Sequence, residues 1–306
     1  MHMSVIFYQM CAILLFLLIG LFVRKKEFIS ATGTHDMSWV LANVCSPAQI
    51  LSAVLNMDEA PDRKSALTVA AVGLVAYAVM LVLSWFIGKV LRAPKKDHRF
   101  YGAIFLFNNI GFLGLPLIHA MYGDKGAAYM TILILEFNLF FFSYGCILLR
   151  KEGSEMHVNL KLLINPGVIA ALIAIVIFFS GVRFPAVFGS IAQYAGTGVT
   201  FLATFLIGTN LYGVDLKRLF SDGRMYLYVL IRQILFPVVF ILIVKNFVSD
   251  PTALGVLAVF AAVPPANIVS VIAMNNDCDM DVLTRGTVFS TLLSVATMAL
   301  VLSVML

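Results

Sequence analysis

The chain has 306 residues, of which 61% are hydrophobic and 12% carry a full charge, with a net charge of +5. Soluble domains carry roughly 25% charged and 45–50% apolar residues, so about half the charge that a water-facing surface needs is missing. With a mean hydropathy of +0.98, this excludes a soluble enzyme, a nucleic-acid binder and a disordered chain, and leaves an integral protein of the lipid bilayer.

At ~20 residues per span plus short loops, the chain holds about ten transmembrane helices. Apolar runs place them at 4–23, 37–56, 65–88, 100–121, 127–149, 162–180, 189–211, 224–246, 253–274 and 282–305. The first run ends in Arg24-Lys25-Lys26 and is too long for the apolar part of a signal peptide, so it is expected to remain as a span. The second and seventh runs are polar for membrane helices. Ser46, Pro47 and Gln49 interrupt one, and Thr200 and Thr204 the other. Such spans face protein or water, either lining a pathway or packing through small residues. Cys11, Cys45, Cys146 and Cys278 show no paired spacing, so no disulfide, metal site or cofactor is expected.

The loops after spans 1, 3, 5 and 7 carry 14 Lys and Arg residues, against five after spans 2, 4, 6 and 8. By the positive-inside rule the first set is cytoplasmic and both termini lie outside.

The chain also divides into two halves of five spans, 1–150 and 151–306. Pro116 and Pro265 lie 149 positions apart, in the fourth span of each half. Both spans are interrupted, by Asn108-Asn109-Ile110-Gly111-Phe112-Leu113-Gly114-Leu115-Pro116 and by Ala262-Val263-Pro264-Pro265-Ala266-Asn267. An odd number of spans per half makes the second half an inverted copy of the first. Interrupted segments at matching positions in two halves point to a secondary-transporter binding site. Proline and glycine unwind the helix, unwound backbone survives only where it lines a cavity, and the exposed half-helix N-termini favour an anion.

Asn109-x-x-x-x-Gly114-x-Pro116-Leu117, then Met121-Tyr122-Gly123, resembles the fourth-span motif of the auxin efflux carrier family. Ala262-Val263-Pro264 through Asn276-Asp277 resembles that family's ninth and tenth spans. The resemblance implies an all-α carrier of small organic anions, with ten helices in two inverted five-helix repeats. It implies a scaffold of spans 1, 2, 6 and 7, a moving transport domain of spans 3–5 and 8–10, and crossed broken helices 4 and 9. Asn109 falls on the family's asparagine, and Pro116 and Pro264 fall on its crossover prolines. The short central loop, Arg150 to Lys161, is like that of bacterial members in the cytoplasmic membrane. Those are commonly malonate or malate carriers, so the resemblance implies a small dicarboxylate.

The candidate substrate-binding residues are Asn108, Asn109, Gly111, Gly114, Pro116, Pro264, Pro265 and Asn267; uncharged amides can hold a carboxylate without a fixed charge. Asn138 is more simply a helix–helix hydrogen bond. Ionisable residues inside spans are functional candidates by default. Glu136 is either a proton site or the partner of Arg232 in a static ion pair, and Arg232 can alternatively hold a substrate carboxylate. Ser46, Gln49, Thr200 and Thr204 are the pathway candidates. Asp277, Asp279 and Asp281 are expected to be a solvated loop, and His98, Asp124 and Lys125 ordinary loop residues. Two rivals remain: a sodium-coupled carrier of the bile-acid type, and a sensor that binds an anion without moving it. A second copy of the chain is a candidate partner. Without GxSxG, HExxH or a P-loop, nothing points to an enzyme or an ATP-driven pump.

Overall fold

Backbone at membrane depth must satisfy its own hydrogen bonds, which helices do within one segment. The computed structural model describes residues 2–57, 62–150, 165–212, 216–276, 278–279 and 281–305, and it is helical apart from loops and one isolated bridge. The principal helices are α1 (His2–Lys25), α2 (Thr32–Leu55), α3 (Arg63–Val90), α4 (His98–Leu106) and α5 (Ile110–Leu148). They continue with α6 (Pro166–Ser180), α7 (Ala186–Asn210), α8 (Gly223–Val244), α9 (Pro251–Ala262), α10 (Asn267–Asn275) and α11 (Asp281–Met305). Among the described residues six helices, α2, α3, α5, α7, α8 and α11, are long and apolar enough to cross a membrane.

Two boundaries differ from expectation for local reasons. The second span starts well before residue 37, because Ser30 caps it: its hydroxyl accepts the Gly33 amide at 3.0 Å. Spans 4 and 5 are joined by a one-residue turn: Gly123, with φ of 63° and ψ of −156°, divides α5 into two helices in a conformation that residues with a Cβ avoid. The start expected for span 6, at residue 162, lies outside the described residues.

Proline shapes three other helices. Leu41–Cys45, Ile110–Gly114 and Leu230–Leu235 are wide π turns, and each lies just ahead of a proline, at Pro47, Pro116 and Pro237. A proline ring cannot donate to the carbonyl four residues back and clashes with it. The wider turn re-routes those carbonyls without ending the helix.

Several helix pairs pack closely, and α5 also contacts α2 and α6. α1 lies along α7, and α2 packs on both α6 and α7; α3 packs on α4, and α9 on α5 and α8. The α1–α7 contact depends on glycine. A Cβ on Gly20 would collide with the Phe205 carbonyl, and one on Gly208 with the Leu17 carbonyl, the small-residue contact that lets membrane helices approach closely. α3 turns Val75, Val79, Val82 and Trp85 outward, whereas Gly255 through Ala266 is buried without a gap. At the start of α9, Asp250 caps the Thr252 amide at 2.9 Å and meets Lys125 at 2.9 Å and the Tyr129 hydroxyl at 3.2 Å. Burial works against the charged carboxylate. Lys125 and the Thr252 amide outweigh it and hold the Asp250 carboxyl below its ordinary range.

Two outcomes follow. Gly208→Leu should lower the melting temperature of the detergent-solubilised protein, since overpacking costs about 1–3 kcal/mol. Because the Asp250 carboxyl titrates lower in the folded state, its brace is complete above the unfolded carboxylate range and weakens as pH falls through the folded value. Asp250→Asn should therefore lower the melting temperature at neutral pH and shrink its fall between pH 7 and pH ~3.

Candidate functional site

The two interruptions meet. α4 stops at Leu106 and α5 starts at Ile110; α9 stops at Ala262 and α10 starts at Asn267. Between these ends the chain is extended, and Asn108 faces Pro265 in an antiparallel bridge. The Asn109 amide donates to the Pro264 carbonyl at 2.7 Å, and the Ala266 amide donates to the Phe107 carbonyl at 2.9 Å. Each break thus supplies hydrogen-bond partners that the other lacks. Phe100 through Ile110 is buried without a gap, as is the α9 break.

Neighbouring asparagines have divided the work. Asn108 is fully buried; its Oδ1 accepts from the Tyr77 hydroxyl at 3.3 Å and its Nδ2 donates to the Phe260 carbonyl. Both ends of its amide clasp the fold. Asn109 is 3% exposed; its Oδ1 caps α5 by accepting the Phe112 amide at 3.3 Å, while its Nδ2 has no partner. An unmet buried donor at a helix N-terminus, beside the positive end of the helix dipole, suits a negatively charged oxygen.

That donor borders a cavity of about 270 Å³, lined by Asn43, Ser46, Asn108, Asn109, Gly111, Asn138, Asn165 and Asn267 among Ile, Phe and Ala side chains. Among the described residues none that lines it is charged. The volume sits at the small end of ligand pockets, which run from about 300 to 1,000 Å³. Open space lies beside Gly111, where an added Cβ would meet nothing within 4 Å.

The other sequence candidates are dispersed. Gln49, Pro116 and Thr200 line a second cavity of about 320 Å³ with Gln9, His119 and Gln193. Gly114 is buried in the π turn, and Thr204 bonds within its helix to the Thr200 carbonyl at 2.7 Å. Asn138 borders the central cavity, yet its Nδ2 is spent on the Ile134 carbonyl at 2.7 Å. A third cavity of about 410 Å³ is lined by Arg24, Thr34, His35, Ser38, Tyr212, Ser270 and Thr287, and shares Asn267 with the central one.

Glu136 and Arg232 form no ion pair. Glu136 is 5% exposed, and its Oε2 lacks a hydrogen-bond partner; it abuts Gly73 of α3, where a Cβ would collide with it. Arg232 donates instead to the Phe105 carbonyl at 2.8 Å and the Ala261 carbonyl at 2.7 Å. It lines none of the three cavities, so nothing places it on a ligand. The described part of the acidic run is solvent-accessible, as expected, and carries surface ion pairs. Asp281 pairs with Arg285, which reaches Asp222 at 3.0 Å, and Asp279 meets Lys96 at 3.5 Å; Asp277 lies outside the described residues. Asp124 bonds His119 at 3.0 Å, and Lys125 braces Asp250.

Sequence reasoning did not single out Tyr77, Asn43 or Asn165 for this place. Asn43 had a signal, as a further polar residue of the second span. Asn165 and Tyr77 had none, since a helix cap and an aromatic ring look alike wherever they fold.

The family model described as membrane transport protein matches residues 5–159 and 154–302 of the chain. A search among curated proteins found no match.

Two substitutions separate the roles of the asparagines. Asn108→Ala should lower the melting temperature, since the clasp's stranded groups cost about 1–3 kcal/mol. Asn109→Ala should cost only its cap, about 0.5–2 kcal/mol, and abolish any thermal shift that small carboxylates produce, as should Gly111→Leu by filling the cavity.

Proposed function

The chain belongs to the membrane transport protein family of auxin efflux carriers, a family of multi-pass membrane transporters, and on that footing we propose that it moves a small organic anion by alternating access. The observation that carries the proposal is the unmet, buried Asn109 amide at the meeting point of two unwound helices, beside a small cavity lined by no charged residue among those described. A malonate- or malate-like carboxylate suits those donors. Its oxygens take the Asn109 and Asn267 side-chain amides beside the positive end of α5.

In this reading ten spans form two inverted repeats, residues 1–150 and 151–306, in a bacterial cytoplasmic membrane with both termini outside. The scaffold is α1, α2, α6 and α7, in which α1 lies along α7 and α2 packs on α6 and α7, and the moving body is α3–α5 and α8–α11. Close glycine contacts within the scaffold support its acting as one rigid piece. The cavities bordered by Gln49, Pro116 and Thr200 and by Arg24, His35 and Thr287 are the outer and inner approaches, with the charged Arg24 on the inner side. Each negative charge exported against an inside-negative potential gains ~2.3 kcal/mol per 100 mV. Export therefore runs downhill, whereas uptake of a dianion needs a coupling ion. Glu136, buried and without a cationic partner among the described residues, is the coupling proton's site.

Counterflow of labelled malonate in proteoliposomes tests this. Exchange is expected to occur and to ignore sodium; a strict sodium requirement would place the protein with sodium-coupled carriers, and binding without exchange would make it a sensor. Glu136→Gln should flatten the pH dependence of the exchange rate while the protein still inserts and binds.

A further inference from the structure

Arg232 sits where both half-helices end. Phe105 and Ala261, whose carbonyls it takes, are each the next-to-last residue of their helix, α4 and α9. The preceding carbonyls are taken as well, Ile104 by the Tyr228 hydroxyl at 2.8 Å and Phe260 by Asn108. Helix C-terminal carbonyls lack partners and carry the negative end of the dipole, and here two such ends converge in the protein interior. The guanidinium is 1% exposed, forms no ion pair among the described residues, and lies 5.6 Å from the Phe105 ring centroid and 5.2 Å from that of Phe236. It projects from the π turn Leu230–Leu235, and its Nη2 has no partner.

We propose that Arg232 is a positioning residue: a tethered cation that clamps the C-termini of both half-helices and so sets the register in which the Asn109 amide and the α5 N-terminus face the cavity. The planar fork matters because two carbonyls on separate helices must be reached from one group, which a lysine ammonium on its flexible stem does less well. The clamp acts on the far side of the break from the ligand, so it governs affinity through geometry and never touches the substrate. For its effect on affinity, the proposal rests on the anion site proposed above.

The experiment compares the full-length wild type with Arg232→Ala and Arg232→Lys, using melting temperature and malonate counterflow, each with millimolar methylguanidinium or with urea at equal concentration. In Arg232→Ala, methylguanidinium should raise the melting temperature and restore counterflow, whereas urea should do neither and wild type should not respond. Arg232→Lys should fold, insert and raise the half-saturating malonate concentration by about tenfold with little change in maximal rate. A folded Arg232→Ala that ignores methylguanidinium, or an Arg232→Lys with wild-type half-saturation, would overturn the clamp. The melting-temperature comparison uses no substrate, so it decides the clamp even if wild type shows no malonate exchange. Should Arg232→Ala not fold, expression of that variant with methylguanidinium present replaces the melting comparison: recovery of folded protein supports the clamp, and failure overturns it.

Discussion

Backbone that leaves a helix inside a bilayer must find its hydrogen bonds in the protein, and in this chain the two unwound segments find them in each other. The bonds from Asn109 to Pro264 and from Ala266 to Phe107 satisfy one break with the other. Either break alone would strand polar groups in a dry interior, at a cost of several kcal/mol for each unpaired group. The pairing also explains why the surroundings are so enclosed. The two segments with the most continuous burial are the two that are interrupted.

Mutual satisfaction leaves an asymmetry that chemistry can use. Carbonyls on the closed side are taken by Arg232, Tyr228 and Asn108, while on the open side the Asn109 Nδ2 remains. Negative helix ends are thereby matched with a fixed cation, and positive ends face a cavity. In the proposed reading, holding an anion with neutral amides in place of an arginine has a consequence for turnover. A carboxylate gripped by a fork of charged donors in a low-dielectric site leaves slowly, and a carrier must release what it binds.

Much of this was legible in the residues. Apolar runs revealed the helices because bilayer thickness dictates their length. Paired prolines and asparagines revealed the breaks because proline cannot continue a helix without losing a bond. Asn109 was legible for the same reason. Asn108 was not distinguishable from it: the two are neighbours of identical chemistry, and only Tyr77 and Phe260, distant in sequence, assign one to the fold and leave the other a free donor. Gly123 illustrates a different gap. Polar residues around it read as a loop, yet a single glycine with positive φ turns the helix in place.

Glu136 and Arg232 show the boundary most clearly. As the two charges deep in apolar runs they invite pairing, and one dimension offers no other partner for either. What separates them is that Arg232 lies where two helix ends bring carbonyls within 2.8 Å, and an array of oriented dipoles can host a guanidinium without any carboxylate. The amino-acid order determined that the chain lives in lipid, where it crosses and where it unwinds, because those follow from local solvation and local covalent constraint. Which donor is spent and which is left free was decided only by the tertiary structure, because a hydrogen bond depends on distance and angle between groups far apart along the chain.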